Sequence, residues 1–476
     1  MARERGLTST IPARLDALPW SRWHWRVVIA LGITWLLDGL EVTLVGSLGA
    51  ALQHPDVLGL SAREVGLSGS AYVAGAVPGA LVFGRLADRF GRKRLFLITL
   101  GVYLAGTVAT AFAFDFPSFA VLRFVTGFGI GGEYAAINSA IDELIPPRVR
   151  GTVDLAINGT FWIGAALGAG LSLLLLDPRW LPPALGWRLA FGLGAVLGLS
   201  MLLVRRHVPE SPRWLIVHDR LTDAEAEMAR IEVEVAAQRG PLRAARDVLA
   251  VKLAPMPSWR EIVRLLTSRY RRRTLLGTGL MACQAFFYNA IFFTYALVLS
   301  RFYAVPADQV GRYIFPFALG NFLGPLMLGP LFDRVGRRAM IAGTYVTSGL
   351  GLLLAGALFR AGLLDATTQA LSWAAIFFVA SAAASSAYLT VSEIFPLEIR
   401  ALSISVFYAL GTGVGGFVGP ALFAELIEAG SRAALFHGYA LAAALMCGAG
   451  LLEAWLGVDA ERKPLEEIAR PLSAGG

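Results

Sequence analysis

The chain has 476 residues, is 56% hydrophobic and only 16% charged, where a soluble globular chain carries about 25% charged residues. That balance excludes an ordinary soluble globule. The formal net charge of +8 invites a nucleic-acid partner, but the placement of the basic residues along the chain excludes that reading, as shown below.

Residues 1–25 are basic and polar. They contain no apolar stretch before a small-residue cleavage site, so no signal peptide is expected. Residues 11–25 are expected to lie along the membrane surface as an amphipathic segment. Twelve apolar runs of spanning length follow, at 26–50, 66–84, 95–114, 117–138, 152–176, 187–205, 274–300, 310–331, 339–360, 367–389, 401–425 and 434–457. The expected architecture is an all-α integral membrane protein of two six-helix halves, 26–205 and 274–457. A polar linker, 206–273, joins them, and a tail, 458–476, follows. Within the linker, 224–238 reads as a surface helix and 258–268 as an amphipathic one entering the seventh span.

Lysine and arginine set the orientation. The segments on the side of the N-terminus hold 34 of the 42, the opposite segments hold 7, and Arg123 lies inside a span. The positive-inside rule then places both termini in the cytoplasm. The basic excess is accounted for by topology alone, and no nucleic-acid partner is expected. Cys283 and Cys447 fall in apolar runs and the five histidines do not cluster. Neither a disulfide, a metal nor a cofactor is expected.

Two internal repeats show that the halves are related. Gly84-Arg-Leu-Ala-Asp88-Arg89-Phe-Gly91-Arg92-Lys recurs as Gly329-Pro-Leu-Phe-Asp333-Arg334-Val-Gly336-Arg337-Arg, 245 residues later. Glu143-x-x-Pro-x-x-x-Arg150 recurs as Glu393-x-x-Pro-x-x-x-Arg400, 250 residues later. In each copy the proline ends a helix, and the glutamate and arginine are expected to pair across the bend.

The first of these loops resembles the signature between helices 2 and 3 of the major facilitator superfamily of secondary transporters, which carries a weaker copy between helices 8 and 9. The resemblance covers nearly the whole chain and implies two halves around a central cavity, working by alternating access. The superfamily's pseudo-symmetry implies that Asp88 faces the N-terminal end of helix 11 and Asp333 that of helix 5. There the helix dipole favours a carboxylate, which locks the cytoplasmic side shut. The knots also act as topology signals, yet topology needs the arginines and not the aspartates. The expected gate therefore comprises Gly84, Asp88, Arg89, Gly91, Arg92, Asp333, Arg334, Gly336, Arg337, Glu143, Arg150, Glu393, Arg400 and Asp154.

Ionisable residues inside spans are functional candidates by default. Asp38 and Glu41 share one face of helix 1 at i, i+3, ~18 and ~22 Å in from Arg26 at ~1.5 Å per residue. Arg123 of helix 4 lies ~9 Å from the opposite end, at about the level of Glu41. A buried arginine at the height of a buried carboxylate points to a pair, either for coupling protons or for closing helix 1 on helix 4. If the arginine is drawn away, the desolvated carboxylate takes a proton. Asp-Gly-x-(Asp or Glu) and Arg-x-x-x-Gly-x-Gly resemble proton symporters of the aromatic-acid, metabolite and sugar branches, and Gly-Gly-Glu133-Tyr resembles the first two. The second helix 1 acid is usually Asp there and is Glu41 here.

For the substrate, Gln284 and Asn289 keep the spacing of the sugar-porter motif Gln-Gln-x-x-Gly-x-Asn, and Pro209 to Leu215 is also sugar-porter-like. Helix 10 lacks the Gly-Pro-x-Pro-Trp run of sugar porters and offers Tyr388 instead. Aromatic residues including Tyr288, Tyr295 and Trp162, with Asn158 and Asn321 as further polar candidates, suit a flat or partly apolar ligand better than a polyol. The Gly-Pro motif of drug–proton antiporters is absent from helix 5. The reading is proton-coupled uptake of a small organic metabolite, an organic or aromatic acid first, by a monomer in a bacterial inner membrane. Sugar or polyol symport, proton-antiport export and a non-transporting membrane sensor are the alternatives. No enzyme motif is present.

Overall fold

The computed structural model describes residues 6–473 except 178, 206–208, 243–247, 253–256, 293 and 307–308. A short strand β1 (Gly6–Ser9) and helix α1 (Ile11–Ala17) precede the first half. That half comprises α2 (Arg22–Ser47), the short α3 (Gly49–Leu52), α4 (Ala62–Phe90), α5 (Arg92–Thr110), α6 (Phe116–Leu144), α7 (Arg150–Leu175) and α8 (Pro183–Arg205). The linker folds as α9 (Pro212–Val217), α10 (Leu221–Arg239), β2 (Leu249–Lys252) and α11 (Trp259–Arg264), the last running into a π-turn at Leu265–Arg269. The second half comprises α12 (Arg271–Phe292), α13 (Tyr295–Tyr303), α14 (Val310–Arg334), α15 (Arg337–Arg360), α16 (Ala366–Glu393), α17 (Arg400–Glu428) and α18 (Arg432–Leu456), and the tail carries α19 (Leu465–Ile468).

Among the described residues, nine of these helices are long and apolar enough by themselves to cross a membrane. The helices α2, α6 and α8 complete the twelve. Arg123, Glu133, Asp142 and Glu143 dilute the hydropathy of α6, and all four are buried inside the bundle. Apolar side chains such as Val196, Leu319, Met327, Leu354 and Leu451 are instead exposed on the outer surface, as lipid-facing positions require.

Within the first half α2 packs on α7 and α4 on α6; within the second, α12 packs on α17 and α14 on α16. The halves meet where α7 lies on α14 and α4 on α17. Small residues allow the close crossings: a Cβ on Gly39 would stand 1.9 Å from the Phe161 carbonyl oxygen, and one on Gly164 1.7 Å from that of Leu36.

Two expectations need correction. The seventh span is not one uninterrupted helix: α12 ends at Phe292, residue 293 lies outside the described residues, and α13 restarts at Tyr295. Residues 11–17 do not lay an apolar face on lipid. Ile11, Leu15 and Leu18 are buried where α1 meets α9 and α10, and Arg14 pairs with Glu225 and Glu232 at 2.6 and 2.5 Å. The all-α architecture carries one small addition, a two-stranded ribbon in which β1 and β2 pair antiparallel with Gly6 opposite Lys252. A covered apolar stripe is the protein's own cheapest way to remove it from water, and the amphipathic α10 supplies the cover through Ala224, Met228, Ile231 and Val235. The tail is likewise packed, with Leu465 and Ile468 buried. The described parts of both terminal segments and of the linker therefore gather on one end of the bundle, called here the linker face.

Candidate functional site

Helix starts explain the linker face. On the opposite face, α4, α6 and α16 carry their own capping boxes, Ser61/Glu64, Asp115/Ser118 and Asp365/Thr368. On the linker face, α7 and α17 begin after Val149 and Ile399, which provide no side-chain cap. The caps come from the other half. Asp333 of α14 accepts from the backbone N–H of Gly151 (3.1 Å) and Thr152 (2.7 Å) and from the Thr152 hydroxyl (2.6 Å). Asp88 of α4 accepts from the N–H of Ala401 (3.2 Å) and Leu402 (3.0 Å). The same device recurs at α5 and α15. Glu210 of the linker accepts from the Arg92 N–H at 2.9 Å, and Glu461 of the tail from the Arg337 N–H at 3.3 Å. Each carboxylate meets the positive end of a helix dipole, and each ties a separate segment to it. Gly91 and Gly336 start α5 and α15 with φ of 97° and 121°, a region L residues rarely enter. Gly84 lets α4 reach α17, because a Cβ there would stand 2.0 Å from Ser405 Oγ.

Arginines complete the network, in a pattern that differs from the expected one. Glu143 is not paired with Arg150, nor Glu393 with Arg400. Glu143 pairs with Arg92 at 2.8 Å and with Arg400 of the other half at 3.6 Å. Glu393 pairs with Arg337 at 3.0 Å and with Arg150 of the other half at 3.5 Å. The proline turn swings each arginine under the opposite half, so the repeat exchanges partners across the pseudo-two-fold axis. Arg92 also meets Asp88 at 3.2 Å, and Arg337 meets Asp333 at 2.9 Å, both at i, i+4. Arg89 and Arg334 are exposed and outside the network; one residue past each aspartate turns a helix by about 100°. Asp154 is buried at the start of α7, beside Asp142 and Glu393.

Sequence reasoning missed a clasp over this network. Arg213 of α9, 1% exposed, bonds Asp16 of α1 at 2.7 Å, Glu466 of the tail at 2.9 Å and the Glu143 carbonyl at 2.6 Å. Burial raises the Asp16 carboxyl above its ordinary value despite Arg213 and Arg150. At Glu466 burial also acts upward, but Arg213 and backbone hydrogen bonding outweigh it and hold that carboxyl low.

Deeper in the first half, Arg123 Nη1 donates to Glu41 Oε1 at 2.8 Å, with both groups buried. The Tyr72 ring lies 4.6 Å from the guanidinium centre and that of Phe191 5.8 Å, so aromatic faces flank the cation. Asp38 bonds neither of them. It accepts from the Tyr72 hydroxyl at 3.3 Å and, in a short bond, from the Tyr134 hydroxyl. Glu133 is buried next to Tyr134 and acts electrostatically on Asp38.

Tyr134 carries Asp38 to the other half. Its ring lies 4.8 Å from Trp35, 4.7 Å from Tyr408 and 6.4 Å from Tyr388, and Tyr388 lies 5.8 Å from Trp35. Tyr388 belongs to the expected substrate set; Trp35, Tyr72, Tyr134 and Tyr408 do not, since aromatic residues in a spanning helix face lipid as readily as a partner. A second crossing runs from Trp162 of α7 to Tyr288 (6.1 Å), Phe292 (5.4 Å) and Phe317 (5.5 Å). The Tyr288 hydroxyl donates to Asn321 Oδ1 at 2.6 Å.

The remaining polar candidates are dispersed. Gln284 is buried in α12, while Asn289 turns its amide to the Ala285 carbonyl at 2.8 Å. Asn158 donates to the Asp154 carbonyl at 2.8 Å and to its carboxylate at 3.2 Å. Tyr295 donates to the Tyr313 carbonyl and packs its ring 4.8 Å from Trp373, entirely within the second half.

Two related six-helix bundles, bridged at one face, with a buried ion pair inside the first of them, define a secondary transporter of the major facilitator class. The chain belongs to the sugar (and other) transporter family, whose model matches residues 22–470. It is similar to the niacin transporter of Acinetobacter baylyi, with 27% identity over 88% of this chain and 90% of the relative. It is also similar to the 4-hydroxybenzoate transporter of the same organism, with 27% identity over 85% and 84%. Among solved structures it resembles a major facilitator proton:xylose symporter bound to 6-bromo-6-deoxy-D-glucose, with a TM-score of 0.76 and 18% identity over 94% and 98% of the two chains. Transport, not enzyme catalysis, is what this family performs.

Proposed function

We propose that this protein takes up a small, flat organic acid together with a proton by alternating access, with the linker face in the cytoplasm of a bacterial cell. The observation that carries the reading is the membrane-buried Glu41–Arg123 pair at 2.8 Å. An entering carboxylate competes with Glu41 for Arg123. Glu41, losing its partner in a desolvated setting, takes a proton, because an unpaired buried charge costs several kcal/mol. One anion and one proton then cross together. The aromatic crossings at Trp162, Tyr288, Tyr134 and Tyr388 offer ring faces to a planar ligand, and niacin and 4-hydroxybenzoate, named for the relatives above, are both small aromatic acids. The excess of Lys and Arg on the linker face supports the orientation.

The test is uptake into proteoliposomes under an imposed pH gradient, screened across aromatic acids, aliphatic acids and polyols. Proton-driven accumulation of an aromatic acid is the expected result. Accumulation of polyols alone would move the substrate to the sugar class, and transport indifferent to the gradient would remove proton coupling.

A further inference from the structure

Each half is entered through a short helix, α1 before α2 and α11 before α12. The apolar stripe of α1 is covered by the linker. That of α11 is covered only in part: Ile262 and Leu266 are buried, while Trp259 and Val263 are 49% and 56% exposed. Trp259 and Val263 form one row at i, i+4, and Arg260 and Arg264, both exposed, form the row beside it. A face turned to water alone has no use for a tryptophan and a valine in register. A topology signal needs the arginines but not the two apolar groups. Aromatic and apolar side chains alongside arginine are the composition of a helix lying in the membrane–water interface.

Position and charge agree with that composition. Helix α11 leads through one turn into α12, whose Leu275 is exposed on the lipid-facing surface. It is pinned to α4 of the other half: Arg85 Nη2 donates to the Pro257 carbonyl at 2.6 Å, and the Arg85 guanidinium lies 5.9 Å from the Trp259 ring. Arg89, exposed and one turn further along the same face of α4, extends the cationic edge, with its guanidinium 5.2 Å from the exposed Phe90 ring. Residues 259–273 hold six arginines and one acid. That acid, Glu261, is engaged by the Ser258 N–H at 2.6 Å, so the positive charge is left without a match in its own segment. The second copy of the α4–α5 loop has Pro330, Val335 and Ala339 where the first has Arg85, Phe90 and Arg94. The surplus of cations and the extra ring thus belong to the copy that α11 touches.

We propose that α11 and the adjoining end of α4 form a docking site for an anionic phospholipid of the linker-face leaflet. Arg260 and Arg264 take the phosphate of the headgroup, and Trp259 and Val263 lie against the glycerol and the upper acyl carbons. Arg85 holds α11 in place for both. A lipid, not a soluble anion, is the occupant, because half of the site is apolar and it adjoins side chains that already face lipid. The site rests neither on the transporter reading nor on the choice of substrate.

The test uses the full-length protein in phosphatidylcholine nanodiscs containing a minor fraction of either phosphatidylglycerol or phosphatidylcholine brominated high on its acyl chains. Fluorescence quenching in the wild type minus that in Trp259→Phe isolates Trp259. Expected is stronger quenching by the brominated phosphatidylglycerol than by the brominated phosphatidylcholine at equal fraction. Arg260→Gln/Arg264→Gln should raise the phosphatidylglycerol fraction needed for half-quenching ~25-fold, at ~5-fold per arginine near an anionic surface. Arg260→Lys/Arg264→Lys keeps the charge and should keep the preference; an equal loss in both double variants would assign the effect to packing and overturn the proposal. Equal quenching of the wild type by the two lipids would remove the headgroup preference, and no quenching of Trp259 by either would place α11 in water; each overturns it. Inorganic phosphate at constant ionic strength should leave the preference intact, and its abolition there would make this a soluble-anion site instead.

Discussion

Asp88→Asn tests whether the linker face is held by a charge at a helix end. Asp88 is 1% exposed and caps α17 through the N–H groups of Ala401 and Leu402 at 3.2 and 3.0 Å. Asparagine keeps the shape and one acceptor oxygen, but turns an NH2 group toward one of those donors and removes the charge. The loss is one charge-assisted hydrogen bond, ~1.5–3 kcal/mol, plus part of a dipole interaction of up to ~2 kcal/mol. Together ~2–4 kcal/mol leave the closed state, and the open fraction rises ~30- to ~1,000-fold at 1.36 kcal/mol per decade. Ser405→Cys, at a buried position on the α4–α17 contact, reports opening through its reaction with an impermeant thiol reagent applied to the linker face in a background lacking Cys283 and Cys447. Labelling should rise and turnover fall while ligand binding survives. Asp333→Asn should do more, because Asp333 also accepts from the Thr152 hydroxyl at 2.6 Å. Wild-type labelling and turnover in Asp88→Asn would reduce the knot to a topology signal.

Three further outcomes are expected. Glu41→Gln mimics the protonated acid, so proton-driven accumulation should vanish while counterflow exchange persists; Arg123→Ala should lose both and cost ~3–5 kcal/mol of stability, because it strands a buried carboxylate. Tyr134→Phe keeps the ring contacts to Tyr408 and Tyr388 but deprives Asp38 of a donor, so the pH profile of transport should shift with turnover retained, whereas Tyr134→Ala should lose turnover; identical profiles for Phe and wild type would detach Asp38 from coupling. The Glu466 carboxyl titrates below its ordinary value in the folded chain, so its contribution is present above that ordinary value and lost as pH falls through the lowered one. Limited proteolysis of the tail should therefore accelerate at acid pH in the wild type, and Glu466→Gln should be cut faster already at neutral pH.

The twelve spans, the doubled loop at Asp88 and Asp333 and the depth match of Glu41 with Arg123 were legible in the sequence. Span length, the concentration of charge and a rise of ~1.5 Å per residue are local quantities that a chain displays before it folds. Helical periodicity also predicts that Arg92 and Arg337, four residues past each aspartate, share its face, and the same periodicity should have removed Arg89 and Arg334 from the gate. The terminal segments were harder to read. An amphipathic stripe at Ile11 and Leu15 looks the same whether lipid or α10 covers it, because either takes the apolar surface out of water.

What only the tertiary structure decided is the choice of partner between groups far apart in the chain. Glu143 and Arg150 are seven residues apart, yet each pairs across some 250 residues, with Arg400 and Glu393. Asp38 was legible as a buried acid, but its tie through Tyr134 to Tyr408 depends on how α6 meets α17. The caps of α5, α7, α15 and α17 arrive from the linker, the tail or the other half. A helix end announces in sequence that its N–H groups need an acceptor; which carboxylate answers is settled by the docking of two bundles, and no local pattern encodes that geometry.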